Sequence, residues 1–359
     1  MRKIGCLRPA AWFLTLGVFL LTWTAPAAAE KKNLKFGADW AFYGVHAPFF
    51  VAQEKGFYEA QGLKVKLSRG FGSAGVLKEL VAGTNDLGFG DAGATMLGRS
   101  KGHKAKLVGV FYEQAPFLIY TKKNSGITKP KDLEGKRIGV QEYRQSAAVW
   151  IRGMLADEYG VDLAGITWFE GGVDAPRRAD EDMDLRPAAP LDIHLIGPEA
   201  SLGDMLAAGE IDALIGARRP RVWSESPMVE RLFPDYRALE RDYFTRTGIF
   251  PIMHTVVIRD DLYDKSPWVA ESLCKACAAA KNLAGERMRF SGAMRYMLPW
   301  LYDDIDEIDA VFGGDPFAYG LAPNRATLET LVRYLQEQSF ISGEQNIEDF
   351  FAPIVGWQE

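Results

Sequence analysis

The stretch RGFGSAGVLKEL holds Gly70, Gly72 and Gly75, a literal G-x-G-x-x-G between an alternating apolar segment, Leu63 to Leu67, and a helical pattern through Val76, Leu77, Leu80 and Val81. Glycines at that spacing can let a turn approach a dinucleotide pyrophosphate. Alternatively, the small residues Gly72, Ser73 and Ala74 can leave the N–H groups of a helix start open to a carboxylate, sulfonate or phosphate, whose charge the helix dipole favours. A tight turn without a ligand is the third reading. A nicotinamide site needs the fingerprint in the first βα turn and an acid about 20 residues later. Here the glycines fall in the second turn with no comparable acid well placed, which leaves the anion site and the plain turn.

Cys274 and Cys277 form a C-x-x-C inside the helical pattern SPWVAESLCKACAAAKNL. A redox pair sits at a helix N-terminus, where the dipole lowers a thiol pKa. This pair lies about two turns in, so packed or weakly bridged cysteines are expected. A closed zinc site needs four ligands and no second pair exists, so no metal is expected, and no cofactor either.

The elements that must position these groups alternate. Strand Leu34 to Ala38 precedes a helix near Phe49 to Gln61, then strand Leu63 to Leu67, helix Ser73 to Ala82, strand Leu87 to Gly90, helix Ala92 to Arg99 and strand Leu107 to Tyr112. Such a βαβα series predicts a parallel sheet between helices. A second series begins near KPKDLEGKRIGV and runs through helix Ala147 to Tyr159, strands Ile166 to Phe169 and Ile193 to Ile196, helix Leu202 to Ala208 and strand Ala213 to Ile215. From Leu262 the chain is almost wholly helical. The polar VDAPRRADEDMDLRPAAP reads as a solvated loop.

Compartment restricts the chemistry further. Arg2, Lys3 and Arg8 precede an apolar run from Ala10 to about Trp23, and Ala27, Ala28 and Ala29 precede Glu30, the pattern of a secretory signal peptide cut after Ala29. Cys6 lies before that run, so a lipid anchor is not supported. Removing 29 residues and their three basic side chains leaves 330 residues with 39 Lys and Arg against 47 Asp and Glu. That acidic balance gives no sign of a nucleic-acid partner.

Two blocks carry a family resemblance. GADWAFYGVHAPFFVAQEKGFYEAQGLKVKL, then the Gly-Ser loop, ELVAGTNDLGFGDAG and KPKDLEGKRIGV resemble the periplasmic binding proteins of ABC importers for sulfonates, taurine and thiamine-type pyrimidines. GVQEYRQSAAVWIRGMLADEYGV, LGDMLAAGEIDALIGAR and YGLAPNRATLETLVRYLQEQ resemble 4,5-dihydroxyphthalate decarboxylase and its relatives over roughly 137 to 351. Both resemblances imply an α/β, two-lobed periplasmic-binding-protein fold of type II with a ligand cleft between the lobes. They imply a first lobe from 30–121 and 251–359, a second from 122–250, and a hinge at Leu118 to Lys122 and Gly248 to His254.

The resemblance also nominates residues. Trp40, Tyr43 and His46 follow the first strand, where binding proteins place stacking and hydrogen-bonding groups. Pyrimidine-binding relatives carry Trp-x-Pro-Asn-x-x-His; here Phe42 and Tyr43 replace Pro-Asn, and Trp40 with Phe42 could instead be core. Asp91 and Ala92 open the next βα turn, with helix capping by Asp91 as the alternative. In the second lobe QEYRQSA repeats the strand-turn-helix arrangement, so Tyr143, Arg144, Gln145 and Ser146 face the cleft if the turn does, and an Arg can grip a carboxylate bidentately. Arg218 and Arg219 follow strand IDALIGA, one of them solvated, and His254 lies at the hinge with packing as its alternative. His103 and His194 are given no role.

Two functions follow from the two resemblances. The first is a monomeric extracytoplasmic solute-binding protein that delivers a small anionic, aromatic solute to an ABC permease in the inner membrane. The second is an aromatic carboxylate decarboxylase, with His46 or His254 supplying a proton in a desolvated pocket. A signal peptide favours the first, because enzymes of aromatic catabolism act after import.

Overall fold

The computed structural model describes residues 31–113, 118–176, 186–292 and 295–354; the expected signal peptide and the middle of the polar loop lie outside them. The first layer holds β1 (Lys32–Gly37), α1 (Ala47–Glu54), α2 (Phe57–Ala60), β2 (Leu63–Ser68), α3 (Ser73–Val81), β3 (Leu87–Asp91), α4 (Ala92–Ser100) and β4 (Ala105–Glu113). Alternation explains β1: Leu34 and Phe36 point into the core while Asn33 and Lys35 face out. The single helix expected over Phe49 to Gln61 is two, because Gly56 adopts φ 72° and breaks the ladder.

The second layer holds β5 (Leu118–Lys122), β6 (Arg137–Val140), α5 (Ser146–Tyr159), β7 (Thr167–Glu170), β8 (Ile193–Leu195), α6 (Leu202–Ala208), β9 (Ala213–Gly216), α7 (Val222–Glu225), β10 (Val229–Arg231) and α8 (Tyr236–Thr247). The chain then forms β11 (Ile252–Arg259), α9 (Asp260–Lys265), α10 (Trp268–Met288), α11 (Leu301–Phe312) and α12 (Arg325–Glu337).

The first sheet has the order β2-β1-β3-β11-β4 and the second the order β10-β5-β9-β6-β7-β8. The first is not the parallel sheet that the βαβα series predicts. β1 runs parallel to β2 and β3, but β11 enters antiparallel between β3 and β4. The β-branched run in IMHTVVIR accounts for its central place, with Ile252 and Val256 to Ile258 buried. The segments expected to form the hinge lie partly within strands. Leu118 to Lys122 is a full strand paired with β9 and β10, and His254 sits in β11, so the second crossing narrows to 248–251.

Of three apolar clusters among the described residues, one runs from Val76, Leu77 and Met96 of the first layer to Ile138, Trp150 and Trp168 of the second and includes Leu328, Leu331 and Leu335 of α12. Beside α1 and α2, Cys274 and Cys277 are buried and free of any disulfide, the packed reading rather than the bridged one. Burial pushes the Cys277 thiol up to about 12, a poor setting for redox chemistry.

Candidate functional site

The C-terminal end of β3 and the turn after β6 meet where α4 and α5 begin, Asp91 accepting from Ser146, at strand ends of the kind where open α/β sheets bind ligands. Asp39 lies two residues beyond β1. Its carboxylate lies 2.7 Å from His46 Nε2 and 3.4 Å from His254 Nε2, and all three side chains are buried. Burial pushes the Asp39 carboxyl up, but the hydrogen bonds and charges of His254 and His46 outweigh it and hold the group well below the usual carboxylate range. His46 Nδ1 accepts from the Tyr43 N–H at 3.3 Å, which fixes Nε2 as the nitrogen that donates to Asp39. Both nitrogens of His46 are therefore engaged. His254 stacks on Phe89, ring centroids 4.9 Å apart.

Around this buried trio the aromatic residues are open to solvent. Trp40 is 48% exposed, Tyr43 55% and Phe71 70%, and Phe42 is also exposed, so the core alternative for Trp40 and Phe42 does not hold. The loop carrying Phe71 is pinned to the loop carrying Trp40: the Gly70 N–H donates to the Trp40 carbonyl and the Gly72 N–H to the Asp39 carbonyl, at 3.1 and 2.6 Å. Gly70 is required there, since a Cβ would lie 1.9 Å from the Ala38 oxygen, and Gly72 takes φ 131°. Gly75 has nothing within 4 Å of an added Cβ.

Two of the three glycines thus serve backbone packing against the end of β1. Gly72 cannot offer its N–H to an anion as the sequence suggests, because Asp39 already accepts it. Ser73 and Ala74 occupy the first turn of α3, where helical N–H groups lack intrahelical partners.

Four further residues are engaged internally rather than facing a ligand. Asp91 caps α4 by accepting the Ala94 N–H and takes two hydrogen bonds from Ser146. Ala92 and Ser146 are fully buried. Tyr143 is buried against Trp168, and its carbonyl accepts from Arg152 at 2.7 Å. The Arg152 guanidinium stacks 3.6 Å above the Tyr143 ring and donates to Gln338; complete burial lowers its pKa to about 10. Asp91 and Ser146, at the meeting of two helix starts, satisfy each other, while Ala92 and Tyr143 are packed into the core.

Arg144 and Gln145 are partly exposed, with Arg144 3.4 Å from Glu142. Arg218 and Arg219 are exposed beyond β9, and Arg219 lies over the Trp223 ring at 5.0 Å. Sequence reasoning missed Asp39, Arg152 and Glu170, which accepts the Tyr143 N–H at 3.0 Å. Two signals were present: an acid two residues beyond β1 and seven before His46, and a lone Arg within the apolar AAVWIRGML.

The protein-family model described as NMT1/THI5 like matches residues 44–176. The chain is 34% identical over 238 residues to 4,5-dihydroxyphthalate decarboxylase from Comamonas testosteroni, covering 66% of this chain and 71% of that one. The chain belongs to the family of that 4,5-dihydroxyphthalate decarboxylase.

Solved structures place this family member in the periplasmic-binding-protein fold, two-lobed and mixed α/β. The periplasmic aliphatic sulphonate-binding protein of Escherichia coli aligns with a TM-score of 0.56 at 13% identity, over 89% of this chain and 97% of that one. A periplasmic sulfonate-binding protein from Methylobacillus flagellatus gives 0.57 at 14% identity, over 90% and 92%. At these identities the likeness concerns fold alone.

Proposed function

We propose that this protein is an extracytoplasmic solute-binding protein that captures a small aromatic anion between its lobes and hands it to an ABC permease. The observation that carries this reading is the exposed aromatic shelf of Trp40, Tyr43 and Phe71 at the C-terminal end of β1. Large aromatic faces left open beside a strand end supply stacking area for a flat ring. The first turn of α3 at Ser73 and the exposed Arg218 supply positive potential for its charged group. An export signal over the first 29 residues and a monomeric state complete the reading.

A second reading, decarboxylation of an aromatic carboxylate, draws on the His46, Asp39 and His254 trio. Removing carbon dioxide from an aromatic ring requires a proton to be delivered to the ring carbon. The His254 imidazole, beside an Asp39 carboxyl held well below the usual carboxylate range, is suited to that task.

One experiment separates the two. The chain from Glu30 onward is screened by thermal shift against phthalates, benzoates and alkanesulfonates, where a ligand at about 100 times its Kd raises stability by about 2.7 kcal/mol. The hits are then assayed for carbon dioxide release. Binding without turnover supports the transport reading; turnover establishes the enzyme; no stabilisation by any aromatic anion defeats both.

A further inference from the structure

The residues Tyr143 to Ser146 nominated in the second lobe lie at the N-terminal end of α5. A separate cavity of about 470 Å³ opens toward the C-terminal end of that helix, between α5, α8, α11 and the crossing at Ile249 to Pro251. That volume falls within the range of small-molecule sites. None of the residues nominated for the cleft lines it.

We propose that this cavity is a second binding site, for a neutral, mainly apolar aromatic molecule. Its wall is ring-rich: Phe250 and Phe312 lie 4.9 Å apart, centroid to centroid, and Phe317 lies 6.2 Å from Phe250. Such faces favour a flat ring over an alkyl chain of equal area.

Charge at the mouth determines the rest of the assignment. Arg237 contacts Asp304 at 2.6 Å and Glu307 at 2.5 Å, Arg241 contacts Glu307 at 2.6 Å, and Arg246 contacts Glu158 at 2.7 Å. These three guanidinium groups are already matched to carboxylates; a fourth, Arg231, also lines the cavity, over the Tyr236 ring at 4.5 Å, and its positive charge acts on the Glu240 carboxyl, so the buried Arg231 Nε favours a guest with one neutral acceptor atom on its ring. Glu240 also lines the cavity, and burial pushes its carboxyl up, which disfavours a second negative charge nearby. A neutral guest does not meet that obstacle.

The walls include the crossing between the two sheets, so occupancy touches the segment that joins them. The guest of this cavity therefore differs from the guest of the cleft in charge and in place.

The test is titration of the whole chain with the neutral fluorophore N-phenyl-1-naphthylamine. Saturable binding at one equivalent is expected. Val311→Trp and Leu239→Trp, each filling the cavity, should each weaken binding by at least about tenfold without lowering the thermal midpoint, while Trp40→Ala leaves it unchanged. Loss of binding in Trp40→Ala would place the probe in the cleft and overturn the proposal. So would parental binding in both filled variants, or the absence of saturable binding. Concentration-dependent self-association in sedimentation that the filled variants reverse would show that a second copy of this chain covers the cavity, and would overturn it equally.

Discussion

The Ser146 hydroxyl donates to one oxygen of the Asp91 carboxylate at 2.8 Å, while the Ser146 N–H donates to the other at 2.9 Å. The Gly93 N–H in turn donates to that hydroxyl at 2.9 Å. One buried carboxylate thus sits between the positive ends of two helix dipoles, α4 from the first layer and α5 from the second. This junction ties the start of α4 to the start of α5.

Replacing Ser146 by Ala removes the hydroxyl and leaves the Gly93 N–H buried without its acceptor. The expected cost is about 1–3 kcal/mol of stability. Urea unfolding should show a lower midpoint with an unchanged slope. A midpoint equal to the parent's would mean that the junction contributes nothing.

The Asp39 carboxyl predicts a pH signature. Its folded pKa is depressed by His254 and His46 despite burial, so its contribution is fully present above the unfolded value of about 3.9 and is lost as pH falls below it. Asp39→Asn should therefore be less stable than the parent at pH 6, with the gap closing toward pH 3. Thermal midpoints of both proteins across that range check this; a gap independent of pH would contradict it.

The glycines of the G-x-G-x-x-G separate by substitution. Gly70→Ala drives a Cβ into the Ala38 carbonyl and should strongly destabilise the loop. Gly75→Ala adds a methyl in open space inside α3 and should stabilise the protein by up to about 1 kcal/mol. A dinucleotide fingerprint needs its third glycine for close helix–strand packing, so a destabilising Gly75→Ala would revive that reading.

What was legible in the sequence follows from range. Strands such as Leu63–Ser68 and helices such as Leu202–Ala208 declare themselves through local periodicity, and the sequence places both within a residue of their observed ends. The antiparallel entry of β11 does not, because its partners β3 and β4 lie more than 100 residues away and no local pattern encodes that choice. The same limit applies to the site. Trp40, Tyr43 and His46 could be nominated from their position after β1. That Asp91 and Ser146 satisfy each other across 55 residues could not.

The shared core constrains motion. The hinge expectation calls for lobes that close on a ligand, yet α12 packs between α4 and α5, and Tyr334 and Arg333 bind Asp157 of α5 at 2.8 and 2.6 Å. A wide rotation would have to shear that contact. Small-angle scattering is expected to show no measurable fall in the radius of gyration at ligand saturation. A clear fall would show that the lobes swing despite α12.

The two arginines nominated for the anion differ in their surroundings. Arg144 already has Glu142 at 3.4 Å, so a ligand carboxylate must compete with a tethered one, whereas Arg218 stands exposed at the end of β9. Arg218→Ala should therefore remove a charge-assisted hydrogen bond worth about 1.5–3 kcal/mol, roughly 10- to 150-fold in affinity, and Arg144→Ala should cost less. Ser73→Pro, which deletes one N–H at the start of α3, should weaken binding as well. Calorimetry with whichever aromatic anion stabilises the parent gives the comparison. If Arg144→Ala is the more damaging, the ligand displaces Glu142 and sits deeper against the second lobe; if all three variants bind like the parent, the charged group is held elsewhere.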